Sequence, residues 1–74
     1  KLDIQLNHFE RMMRIAGEQR IKRVIFIHGV GQGVLRNQIR TRLDSYYPDC
    51  TVRDANPREY GAGATEVILG QSSF

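Results

Sequence analysis

Val24-Ile25-Phe26-Ile27-His28-Gly29-Val30-Gly31-Gln32-Gly33-Val34-Leu35-Arg36 is the stretch on which the reading of the fold turns. Its first four residues are β-branched or aromatic, which suits a strand, and residues 22–28 are assigned to one. Their unbroken apolar character predicts a strand covered on both faces, or central in its sheet. Gly29, Gly31 and Gly33, at alternate positions, exclude a regular strand or helix and predict a tight turn. Leu35, Ile39, Leu43 and Tyr46 or Tyr47 then recur at helical spacing, so a helix over 34–47 follows, stopped by Pro48.

Upstream, two readings compete. Leu2, Ile4 and Leu6 alternate with Asp3 and Gln5, as in a short strand followed by an Asn7-x-x-Glu10 cap. Leu2, Leu6, Phe9, Met13 and Ala16 also form one helical stripe, reinforced by Met12. The helix explains more positions, so residues 2–17 are assigned to it, with Gly17 near its end. Downstream, residues 50–54 read as a strand with Val52 inward, 55–63 as a loop and 64–69 as the last strand. The last two strands are too close in sequence for a crossover helix and should be antiparallel. The Val24 and Val52 strands, joined by a helix, should be parallel. The expected fold is an α/β two-layer sandwich, helix-strand-helix-strand-strand, with a mixed sheet. Parallel strands need cover on both faces, so a further first strand is expected upstream of Lys1. Gln71 to Phe74 read as a frayed tail.

Composition narrows the function classes. A chain of 74 residues and 8.5 kDa allows one domain, and its 41% hydrophobic and 26% charged residues suit a globular one. A single cysteine, Cys50, excludes an internal disulfide. The longest purely apolar run, Val24 to Ile27, is far too short to span a membrane, and no signal-peptide pattern opens the chain. These features point to a soluble cytoplasmic domain. Its net charge is +3, and nine of its eleven basic residues are arginines, whose forked donors suit phosphate. Such a balance is compatible with nucleic acid without requiring it.

The glycine segment is the best candidate site. A glycine turn between strand and helix brings amides toward a ligand, and the free amides and dipole of the following helix favour an anion there. Arg36 lies in the first turn with Asn37 beside it, and Arg40 is on the same face as Arg36. The Gly-Lys-Ser/Thr ending of a Walker loop is missing, and the segment does not fit the dinucleotide-binding fingerprint. The plainer alternative is a turn that only joins strand to helix.

The run Ile27-His28-Gly29-Val30-Gly31-Gln32-Gly33-Val34-Leu35-Arg36, with a distal Gly61-Ala62-Gly63-Ala64-Thr65-Glu66-Val67, resembles the Smr (small MutS-related) domain. Either half alone would be a weak signal; the combination is fairly specific. The resemblance implies a fold like the C-terminal domain of bacterial translation initiation factor three. It also implies binding to DNA, often branched, with a nicking endonuclease activity in several members and RNA cleavage among relatives. Carried onto this chain, it places His28 and Gly29, Gly31 and Gly33 in the motif loop and Arg36 at the helix start. Tyr60, Gly61 and Gly63 fall in the loop before the last strand. A second family signature, Leu-Asp-Leu-His, is not matched: Leu2-Asp3-Ile4-Gln5 carries Gln5 where histidine belongs, and lies too near His28.

Phosphodiester hydrolysis needs a base or metal to activate water and donors for the developing charge. His28 is the candidate catalytic residue, as base, acid or phosphate ligand; the alternative is a structural histidine bonding its own loop. His8 reads as surface. Asp54 and Glu59 could approach His28 only through the strand ends, so no metal site is named and no cofactor is expected, although hydrolysis could use a divalent metal. The expected nucleic-acid contacts are Gly29, Gly31, Gly33, Arg36, Asn37, Arg40, Tyr60, Gly61 and Gly63. Tyr60 either stacks on a base or packs its loop. Arg53 and Arg58 would add charge near the last loop; Arg20, Lys22 and Arg23 lie at the other end of the strand. The leading reading is a DNA-binding module gripping the phosphate backbone of branched or distorted DNA, with RNA as a second partner, no membrane contact, and further domains of a parent protein upstream. The alternatives are a nicking endonuclease and a protein-interaction module that uses an exposed strand edge.

Overall fold

The structure, a computed structural model, describes residues 1–70. The reading of 71–74 as a tail lies outside them. Six elements follow in order: α1 (Leu2–Glu18), β1 (Arg23–Ile27), α2 (Val34–Tyr46), β2 (Thr51–Asp54), α3 (Pro57–Tyr60) and β3 (Ala64–Ile68).

The first segment is helical, and the stripe is the reason. Leu6, Phe9, Met13 and Ala16 are all buried, whereas Ile4, beside the stripe, is exposed. Leu2-Asp3-Ile4-Gln5 is therefore the opening turn of a helix and not a signature strand. Gly17 stays within α1. The reversal falls on Arg20, which takes the left-handed φ of 57° while the Ile21 amide donates to the Ala16 carbonyl at 2.9 Å. In α2, Ile39 and Leu43 are buried, and Tyr47 rather than the exposed Tyr46 packs against the core. Between Ala55 and Gly63, read as loop, one helical turn forms: the Asn56 side chain accepts from the Arg58 amide, with Pro57 opening the turn.

The sheet corrects the expected pairing. Its order is β1-β3-β2, and both pairings are antiparallel, so the mixed sheet is not formed. β1 and β2 do run in the same direction, but β3 enters between them and takes the hydrogen bonds of both. For the same reason β1 is an edge strand, neither central nor covered on both faces: Ile27 is 71% exposed. The central strand is β3, with Ala64, Thr65, Glu66 and Val67 all buried.

Alternation along the strands separates two faces. Val24, Phe26, Val52, Thr65 and Val67 share one, which receives α1 and α2. Leu6, Phe9, Met13, Phe26, Ile39, Leu43 and Val67 form the core there. The Phe9 and Phe26 rings meet with centroids 4.9 Å apart at a tilt of 58°. Arg23, Ile25, Ile27, Arg53, Glu66 and Ile68 share the opposite face, where Arg23 and Arg53 both pair with Glu66, at 3.2 and 2.5 Å.

Candidate nucleic-acid interface

The two glycine segments meet at the end of β1. The amides of His28 and Gly29 both donate to the Gly63 carbonyl, at 2.9 and 3.0 Å. Gly63 adopts φ +81°, and a β-carbon there would lie 2.4 Å from the Gly29 carbonyl carbon. Gly29 (φ +81°) and Gly33 (φ +80°) also turn in the left-handed region, and Gly33 caps α2 without a side chain. The loop then feeds the helix directly: the first α2 bond runs from the Asn37 amide to the Gly33 carbonyl at 2.9 Å. No hydrogen bond among the described residues ends on the amides of Val30 to Arg36. Two loop amides are thus spent on bolting the loops together, and those that follow remain open.

A cleft of about 440 Å³ lies between the segments, lined among others by His28, Gly29, Gly33, Arg36, Asp54, Gly61 and Gly63. Asn37, Arg40, Gly31 and Tyr60, named with them from the sequence, do not line it. Asn37 and Gly31 are exposed beside it. Tyr60 instead accepts a hydrogen bond at its hydroxyl from Arg23, at 3.3 Å. That contact takes its side chain along the open face of the sheet. Arg53 is held by Glu66, Glu59 does not line the cleft, and Arg58 is exposed on α3.

Behind the cleft runs a polar chain that sequence reasoning missed. The His28 Nδ1 lies 2.9 Å from the Gly29 carbonyl oxygen, which can only accept, so this nitrogen carries the proton. In the neutral ring Nε2 is then the acceptor and takes the Thr65 hydroxyl proton over 2.8 Å. Thr65, fully buried, accepts in turn from Arg40 at 3.1 Å. Arg40 also donates to Asp54 Oδ1 at 2.6 Å, and the same oxygen receives Arg36 at 3.4 Å. The Arg36 hydrogen bond and the Arg40 charge hold the Asp54 carboxyl below the usual carboxylate range. Arg40 is therefore braced inward, its side chain 25% exposed against 40% for Arg36. Asp54 and Thr65 are register partners across β2 and β3, a pairing that no local pattern announces. Among the described residues no three His, Cys, Asp or Glu side chains gather as a metal site.

A small antiparallel α/β domain with paired glycine loops at one end of its sheet is the class that these features define. The Smr domain family model matches residues 3–70, and the chain belongs to that family. Comparison with curated proteins and with solved structures finds no significant match. Smr domains are generally linked to nucleic-acid binding and nicking. No described helix is long and apolar enough to cross a membrane.

Proposed function

We propose that this Smr domain binds DNA through its phosphate backbone, branched or distorted DNA included, at the cleft between the two glycine segments. The observation that carries the reading is the half-exposed Arg36 guanidinium on a cleft whose loop leaves the amides of Val30 to Arg36 without partners among the described residues. Donors of this kind position a backbone without reading bases, so affinity should depend on salt more than on sequence. Arg40, committed to Thr65 and Asp54, supports Arg36 from behind.

Fluorescence anisotropy with labelled duplex and four-way branched DNA at two salt concentrations tests this. Affinity should fall as salt rises, and Arg36→Ala should weaken it and reduce the salt slope by about 1. Salt-independent binding, or none, would remove the reading.

His28 on the wall of the cleft favours nicking endonuclease activity as the second reading. Both its ring nitrogens have protein partners, so action as a base requires Thr65 to release Nε2. Supercoiled plasmid incubated with and without divalent metal decides the point: equal nicking by His28→Ala would exclude a catalytic His28. The outer edge of β1, beside an apolar groove formed with Ile4, Phe9, Met12, Leu35 and Ile39, supports the addition of a strand there. That strand would be either a segment preceding α1 or part of a partner protein.

A further inference from the structure

Among the described residues Asp54 is the one carboxylate on the wall of the cleft, and its charge has the wrong sign for a phosphate site. A single oxygen, Oδ1, takes both arginines, but unequally: Arg40 at 2.6 Å and Arg36 at 3.4 Å. Arg40 has a second anchor on buried Thr65, and its Nε is buried too, so it cannot swing out without losing both contacts. Among the described residues Arg36 has only the long contact to Asp54 and one of 3.5 Å to Asn37. The Asp54 side chain is 75% exposed, so the pair is loosely held in water.

We propose that Asp54 is an internal competitor for the phosphodiester. In the free domain it holds Arg36; an arriving phosphate takes Arg36 over, while Asp54 remains on Arg40. The inference rests on the DNA-binding reading of the cleft and says how that site is tuned. Two arginines and one carboxylate leave a local charge of +1, enough to attract a polyanion but not to hold a weakly charged ligand tightly. The carboxylate therefore lowers affinity for every anion and leaves the advantage to those that present several phosphates.

The test compares Asp54→Asn with Asp44→Asn, an exposed α2 carboxylate outside the cleft that changes the net charge equally. With the labelled duplex at low salt, Asp54→Asn should bind roughly fivefold more tightly than wild type, and Asp44→Asn by less than about twofold. In an Arg36→Ala background the difference between the two substitutions should shrink. Arginine Nε–Hε NMR signals provide a readout independent of affinity: adding inorganic phosphate should shift Arg36 and leave Arg40 in place. Wild-type binding with Asp54→Asn equal to Asp44→Asn, or weaker than wild type, overturns this inference alone. So does a phosphate-induced shift at Arg40 in place of Arg36. A wild-type domain that binds no DNA overturns both this inference and the reading beneath it.

Discussion

A β-carbon at Gly63 would sit 2.6 Å from the Gly29 oxygen, an atom of a backbone that the Gly63 carbonyl itself holds through two amides. The strained φ and the clash act together, and neither can relax without separating the loops. Gly63→Ala is therefore expected to cost about 2–4 kcal/mol, read as a lower midpoint in urea. Gly31 has an ordinary φ and open space around it, so Gly31→Ala should leave that midpoint within about 0.5 kcal/mol. Both glycines stand in motifs that the sequence marks equally. What separates them is contact across the fold. The same holds for His28, which its place after the strand marks as a candidate. Its partner Thr65 lies 37 positions away and was read only as part of a motif.

Periodicity at the scale of elements transmits well. Leu43 follows Leu35 and Ile39 at helical spacing, and it is 1% exposed in the core that it shares with Phe9, Met13 and Val67. Leu43→Ala should cost about 2–5 kcal/mol, measured by urea denaturation, which in so small a domain threatens folding itself. The five elements 2–18, 23–27, 34–46, 51–54 and 64–68 agree with the expected bounds to within a residue or two, because stripe and glycine punctuation are local. β1 is the instructive exception. Four consecutive apolar residues predict burial on both faces or a central place in the sheet, yet only Phe26 of the run is buried. Ile25 and Ile27 belong to the face turned away from the helices. The single turn of α3 was missed because four residues offer no period; only Asn56 before Pro57 hinted at it.

At the scale of the whole molecule, the charge state of Glu66 is coupled to folding. It is 6% exposed beneath Arg53 and Arg23, and the Arg53 hydrogen bond and both guanidinium charges hold its carboxyl below the usual range. A folded-state value below the unfolded one contributes stability that is present above the ordinary glutamate range and lost as pH falls through the folded value. The melting temperature should therefore be flat near neutrality and fall on acidification below about pH 4.5. Glu66→Gln should lower the neutral plateau and flatten that acid limb in thermal scans across pH. An acid limb as steep in Glu66→Gln as in wild type would assign it to other carboxylates.

The chain's own pattern determined which segments become helix and strand, where the glycine turns fall, and that an arginine follows the glycine turn after β1. Periods, caps and left-handed glycines act over a few residues, so they are written locally. Only the tertiary structure decided that β3 lies between β1 and β2 and makes every pairing antiparallel. It also decided that Arg40 turns inward to Thr65 and Asp54 while Arg36 faces the cleft. Those outcomes depend on which distant segments share a core, and no residue carries that information in its immediate neighbours.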